Sequence, residues 1–341
     1  MSRFGTPDRF KASDNSVWVE YRQLSIDYKP VNLGQGYPDF CAPKNVTKAL
    51  ANAALSPNPL LNQYTRAFKK TSDTITSADW LFDKKDMEKL FNEKTKGIII
   101  NTPHNPIGKV FTLEELQFIA NLAKRWNTLV VSDEVYEWIV YEPKRHIRIA
   151  TLPDMFERTI TIGSAGKTFS VTGWKIGWAY GPENLLKNLK IVHQNSIYTC
   201  VTPIQEAVAV GFEEELARFG QPDSYFVCLK NELLTKRDFM AKFLTDVGMS
   251  PTIPEGGYFM VANWIALENK VRLEEEQDAN KDYRFTKWMI KNVGVLGMPS
   301  STFYCDGHKH LGEDNVRYCF IKDDENLKRA AEILLKWKSQ K

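Results

Sequence analysis

The chain has 341 residues, 43% of them hydrophobic and 26% charged, with 45 basic against 42 acidic side chains. That length exceeds the usual single domain and buries roughly three quarters of the unfolded surface, so two domains are expected. A net charge of +3 over so large a surface gives no field toward polyanions, which excludes nucleic acid as a partner, and no window approaches the roughly 18 apolar residues of a membrane span.

Cys41, Cys200, Cys228, Cys305 and Cys319 are odd in number and far apart, with no Cys-x-x-Cys pair and no histidine at metal-ligand spacing. Reduced thiols in a reducing compartment follow, and no metal site is expected. The first ten residues lack a signal-like apolar stretch and a long Arg- and Ser-rich leader, so the chain is expected in the cytoplasm, with the mitochondrion as the alternative. The charge runs Asp83 to Asp86 and Leu273 to Glu276 read as solvated faces.

Regular patterning begins near Lys96. The run Gly97 to Ile100 reads as a strand, and Leu113 to Trp126 carries apolar residues at helical spacing. Thr128 to Val131 is a second strand closing at Ser132-Asp133, and Arg158 to Ile162 a third closing at Gly163-Ser164. Buried strands alternating with helices imply an α/β domain with a parallel sheet. Amphipathic stretches at Ser224 to Val247 and Glu325 to Lys338, flanking short strands near Tyr258 to Ala262 and Val316 to Phe320, imply a separate α+β domain.

Ligands of such sheets collect beyond the carboxyl ends of the strands. Three polar clusters stand at those ends: Asn101 to Asn105, Ser132 to Tyr136 and Ser164 to Lys167. Lys167 follows a strand and two glycines that permit close backbone approach, which suits a lysine aimed into a site. A phosphate-binding P-loop is excluded, because the glycine it needs five residues before Gly166 is Thr161. Asp133 alone reads equally as a helix or turn cap, Asn105-Pro106 as a turn, and Arg317 as an outward residue of an alternating strand.

The segment Ser164 to Trp178 (SAGKTFSVTGWKIGW) resembles the active-site segment of fold-type I pyridoxal-phosphate (PLP) aminotransferases. With Leu33 to Phe40 (LGQGYPDF), Asn101 to Lys109 (NTPHNPIGK) and Ser132 to Trp138 (SDEVYEW), it is similar to the kynurenine aminotransferases, a family that includes glutamine transaminase K and cysteine-S-conjugate β-lyase activities. The resemblance implies a large PLP-binding domain over 46–222, a small domain over 223–341, and residues 1–45 as an N-terminal arm and part of the small domain. It implies transamination of kynurenine, glutamine or aromatic amino acids with a 2-oxo acid, and β-elimination from cysteine conjugates.

By the same resemblance Lys167 is the catalytic lysine that carries PLP as a Schiff base and moves the proton at the substrate Cα. Asp133 holds the pyridine nitrogen protonated, Asn105 and Tyr136 bind the phenolic oxygen, and Ser164 and Lys175 bind the phosphate. Arg317 takes the substrate carboxylate with the Gly36 backbone and Asn105, while Trp18 and Tyr64 line the side-chain pocket. In the family Tyr64 and the region of Tyr198 enter a neighbouring subunit's site, which implies a homodimer with shared active sites. Aromatic residues are more often core, and that reading stays open for Trp18 and Tyr198.

The resemblance breaks between Phe68 and about Ser77, where the family continues through several βα elements. The missing part supplies relatives with a helix N-terminus that cradles the phosphate and an aromatic ring that stacks on the pyridine. The large domain is therefore expected to be shortened, and an inactive truncated isoform that at most pairs with a full-length subunit is the alternative to an active transaminase.

Overall fold

The computed structural model describes residues 17–36, 39–40, 76–197 and 199–340. The break after Phe68, Tyr64 and Tyr198 lie outside these residues.

The N-terminal helix α1 (Val17–Tyr28) leads into the short strand β1 (Val31–Asn32). Helix α2 (Lys84–Leu90) starts where Asp83 accepts the Lys85 and Asp86 backbone N–H groups, at 2.8 and 3.0 Å. The first charge run thus opens a helix as well as facing solvent. Strand β2 (Gly97–Asn101) precedes α3 (Leu113–Arg125). Thr112 accepts the Glu115 N–H at 3.2 Å and Glu115 accepts the Thr112 N–H at 2.9 Å, a reciprocal cap that fixes where the helix begins.

Strands β3 (Leu129–Asp133), β4 (Thr159–Ser164) and β5 (Gly177–Tyr180) complete a four-stranded sheet in the order β2-β3-β4-β5. The first three strands run parallel, as the apolar runs imply, and β5 joins antiparallel. The register pairs Asn101 with Asp133, Asp133 with Ile162 and Ser164 with Gly177, so the three polar strand ends stand in one row.

A mostly exposed helix, α5 (Glu183–Ser196), and a half-buried one, α6 (Thr202–Ala217), lead to α7 (Tyr225–Val247), which stops at Gly248 with φ of +108°. A second sheet orders β6 (Ser250–Thr252), β7 (Phe259–Asn263), β10 (Asn315–Cys319) and β9 (Met298–Pro299), all antiparallel. Helix α8 (Lys281–Trp288) lies between β7 and β8 (Val295–Leu296), and α9 (Asp324–Ser339) closes the chain. Strand β8 pairs in parallel with β1, which carries Leu33–Gly36 alongside β10: the Cys319 N–H bonds the Leu33 carbonyl at 2.6 Å.

The second charge run is less solvated than its composition suggests. Glu276 is buried and paired with Lys291 at 2.8 Å, and Glu275 accepts the Trp288 indole N–H at 3.1 Å.

One apolar core spans the seam between the sheets. Val135, Tyr136, Ile139 and Tyr141, which follow β3, pack with residues of α7, β7, β10 and α9. Each such large side chain contributes roughly 1.5–3 kcal/mol by leaving water. The Tyr141 hydroxyl donates to the Gly257 carbonyl at 2.7 Å, and Glu255 accepts the Val110 N–H at 3.1 Å while pairing with Lys144 at 2.7 Å. Among the described residues no helix is long and apolar enough to cross a membrane.

Candidate active site

The row of strand ends forms the floor of the site. Asn101 ties it together: its amide donates to the Asp133 and Pro103 carbonyls at 3.1 and 3.3 Å, and its Oδ1 accepts the Asn105 N–H at 2.8 Å. Asp133 is buried, and its carboxylate accepts the Val135 N–H at 3.3 Å. The turn reading of Asp133 is therefore part of the truth, since one bond shapes the turn while the carboxylate stays beside Lys167. Tyr136 is buried with its ring edge-on to Tyr258 at 5.1 Å.

Ser164 precedes the four-residue helix α4 (Ala165–Thr168) without capping it through its side chain, so capping does not consume the hydroxyl. Lys167 sits in that helix, largely enclosed, and burial pushes its ammonium down to about 8, with Lys175 adding to the effect and Asp133 opposing it. Arg317 and Cys319 act on the same ammonium, which places the strand β10 beside the strand ends of the first sheet. Lys175 has a left-handed backbone, φ 56°, and is exposed.

Arg317 is 3% exposed, which rules out the outward position on an alternating strand. Its guanidinium donates to Asn105 Oδ1 at 3.1 Å and to the Gly34 carbonyl at 3.0 Å. Its central carbon lies 4.0 Å from the Phe259 ring centroid and 4.8 Å from that of Phe303. Gly36 has no room for a side chain, because a Cβ there would come within 2.2 Å of Phe259. Trp18 is the second residue of α1.

The structure brings together Asn105, Asp133, Tyr136, Ser164, Lys167, Lys175, Gly36 and Arg317. It also adds residues that the sequence reading missed. Gly34, in the LGQG segment beside β10, supplies a carbonyl, and Phe259 and Phe303 supply the rings against Arg317; the two rings depend on register across β7, β10 and β9, for which no local motif exists.

Behind the strand ends, Glu134, Glu137 and His146 bring ligand-type atoms within 4.8 Å of one another. Arg148 pairs with both carboxylates, and His146 Nε2 lies 2.6 Å from Glu134. The group reads as an ion-pair network. Among the described cysteines, Cys228, Cys305 and Cys319 form no disulfide.

The donor set fits PLP on charge. Two neighbouring ammoniums, Lys167 and Lys175, call for an anion between them, and a buried carboxylate, Asp133, calls for a cation such as a protonated pyridine.

Fold and site together define a fold-type I aminotransferase. The profile of the family described as Aminotransferase class I and II matches residues 47–334, and the chain belongs to that family, whose members generally work with PLP. The chain is similar to mouse kynurenine–oxoglutarate transaminase 3, at 40% identity over 99% of this chain and 91% of that protein. It is similar to rat kynurenine–oxoglutarate transaminase 1 at 37% identity, over 97% of each. Among solved structures it resembles Saccharomyces cerevisiae Bna3p, with a TM-score of 0.82 and 25% identity over 98% of this chain and 99% of that one. The N-succinyldiaminopimelate aminotransferase of Mycobacterium tuberculosis gives 0.80 and 27%, over 98% and 100%.

The mouse alignment runs over 419 positions against a chain of 341 residues, so at least 78 positions have no counterpart here. The chain is thus shorter than that relative over their shared length. The comparisons carry the transaminase reading and give no support to an inactive truncated chain.

Proposed function

We propose that the chain transfers the amino group of kynurenine, glutamine or an aromatic amino acid to a 2-oxo acid, using PLP. The observation that carries this reading is Lys167, its ammonium lowered to about 8, held beside Asp133, Lys175 and Arg317. The similarity to transaminases named for kynurenine supports the substrate class.

When bound, PLP supplies the electron sink that acidifies the substrate Cα. Asp133 would hold its pyridine nitrogen, Asn105 and Tyr136 its phenolic oxygen, and Ser164 and Lys175 its phosphate. Lys167 moves the proton at Cα, a role worth roughly 10²–10⁴-fold in rate. A lysine near 8 keeps roughly a fifth of its amine neutral at pH 7.4, against about a thousandth for one at 10.5, so burial readies it as a base. Arg317, its guanidinium held by bonds to Asn105 and Gly34, binds the α-carboxylate, and the Gly36 backbone adds to that contact. On the family resemblance alone, Trp18 and Tyr64 are assigned to the pocket for the substrate side chain.

β-Elimination from cysteine conjugates begins with the same proton removal by Lys167 and uses the same residues. We assign a homodimer in which Tyr64 and the region of Tyr198 reach the partner's site, a large domain over 46–222 and a small one over 223–341, with residues 1–45 divided between an arm and the small domain. Free cysteines support a reducing compartment, the cytoplasm.

The test is borohydride reduction of the protein with PLP, followed by peptide mapping and by assay of kynurenic acid formation with a 2-oxo acid. A pyridoxyl group on Lys167, and turnover abolished in Lys167→Ala, are expected. Label elsewhere, or turnover that survives the substitution, overturns the assignment.

A further inference from the structure

We propose that Asp282, on α8 and outside the site, is a positioning residue for substrate binding: it grips Ser301 and so holds Phe303 against the Arg317 guanidinium. The inference rests on the reading of Arg317 as the carboxylate-binding residue.

The rings against Arg317 are held in different ways. Phe259 belongs to β7, which pairs with β10 along its whole length and places Cys319 opposite Phe259. Phe303 ends a short turn, Ser300–Phe303, after β9, and β9 contributes only two ladder pairs to β10, Met298 with Arg317 and Pro299 with Val316. Beyond Pro299 the sheet no longer fixes the chain.

Asp282 takes over at that point. One carboxylate oxygen accepts the Ser301 backbone N–H at 2.7 Å, and the other accepts the Ser301 hydroxyl at 2.8 Å and the Tyr283 N–H at 3.0 Å. Gly312 presses on the same residue, since a Cβ there would lie 2.7 Å from the Ser301 backbone N and Cα. Ser301 is thus held on two sides, two residues before Phe303.

Asp282 is fully buried, and among the described residues it forms no salt bridge. Burial raises its carboxyl to about 6, with Glu313 adding to the effect and the Ser301 bonds opposing it. A buried carboxylate without a cation is unfavourable for folding compared with a neutral side chain of the same shape, and two of its three accepted hydrogen bonds hold Ser301 of the turn. Phe303 in turn limits where the guanidinium can rotate, which pre-organises it for a carboxylate.

The loss should appear in binding and not in the chemical step, because the turn bears on Arg317 through Phe303, whereas the proton transfer belongs to Lys167. The experiment uses the PLP-loaded full chain and compares Asp282→Ala, Ser301→Ala, Phe303→Leu and Arg317→Gln, each checked for folding by circular dichroism. The readouts are KM and kcat for an amino acid donor, Ki for a simple aromatic monocarboxylate, and Kd for the matching aromatic amine without a carboxylate.

In Asp282→Ala and Phe303→Leu, KM and Ki should rise about tenfold together, with kcat within about threefold and amine Kd unchanged; Ser301→Ala should fall between these and wild type. If Asp282→Ala fails to fold, Ser301→Ala and Phe303→Leu decide alone. KM and Ki within twofold of wild type in the folded variants, or an equal loss for the amine, overturn the inference. Arg317→Gln separates the two levels: if it leaves KM and Ki unchanged, the reading of Arg317 fails, whereas a rise there with no change in the other three refutes only the role of Asp282.

Discussion

Replacing Lys167 by Met in the cofactor-free protein should make it more stable at neutral pH, although the same change abolishes turnover. The fall of the ammonium from its ordinary 10.5 to about 8 corresponds to about 3 kcal/mol against the charged form in the folded state. Burial is the first cause and repulsion by Lys175 the second, both acting only while Lys167 is charged. The sign follows from proton binding. Below pH 8 folded and unfolded chains both carry the proton, and the folded state bears the whole penalty. Between about 8 and 10.5 the folded chain releases the proton while the unfolded chain keeps it, so the wild type gains stability as pH rises. Above 10.5 the penalty is gone.

Lys167→Met should therefore exceed the wild type by up to about 3 kcal/mol at pH 7, and that advantage should shrink toward nothing by about pH 10.5. Urea unfolding of both proteins without PLP, at pH 7 and pH 10, measures the difference while other titrating groups cancel. A variant no more stable than wild type at pH 7, or an advantage that persists unchanged at pH 10, would refute the account of Lys167 as an enclosed and electrostatically disfavoured ammonium.

Two predictions concern the scaffold. Gly163 lies opposite Trp178 in the β4–β5 ladder, and a Cβ would stand 2.1 Å from the indole nitrogen, so Gly163→Ala should cost about 1–3 kcal/mol in urea unfolding and lower PLP occupancy by displacing Ser164; an unchanged midpoint would show that the indole moves freely. Lys109 is 1% exposed and pairs with the buried Glu115 at 2.9 Å, so Lys109→Met should cost about 3–5 kcal/mol, and adding Glu115→Gln, which keeps an acceptor for the Thr112 N–H, should restore part of it; no recovery in the double variant would mean that packing and not the stranded charge sets the cost.

What could be read from the sequence follows from how local each signal is. Helix α3 announces itself because Thr112 and Glu115 satisfy each other within one turn, and β2, β3 and β4 because β-branched or apolar runs end in polar clusters. Parallel pairing then places Asn101, Asp133 and Ser164 in one row without further information. The antiparallel β5 was not legible, because direction depends on the turn through Thr172–Trp174 and not on apolar pattern. The charge run Leu273 to Glu276 misled for a similar reason: whether Glu276 is solvated depends on Lys291, fifteen residues on. Phe259 and Phe303 were invisible as site residues, since their places against Arg317 arise only from the register of three strands and a turn.

The charges that the fold assembles explain why these dispersed residues belong together. With Lys167 mostly protonated at neutral pH, the described site holds three cations, Lys167, Lys175 and Arg317, against the single carboxylate of Asp133. That surplus repels itself, and repulsion by Lys175 is the second cause of the lowered Lys167. Two anions relieve it at different places: a phosphate near Ser164 and Lys175, and a substrate carboxylate at Arg317. An anion at Lys175 would offset that repulsion and raise Lys167, while a proton passed to Cα leaves Lys167 neutral beside both anions. The site therefore needs Asp133 and Arg317 fixed independently of Lys167, and the chain does so with separate devices: the Asn101 hydrogen bonds at the first sheet, and the Asn105 and Gly34 bonds with the Phe259 and Phe303 rings at the second.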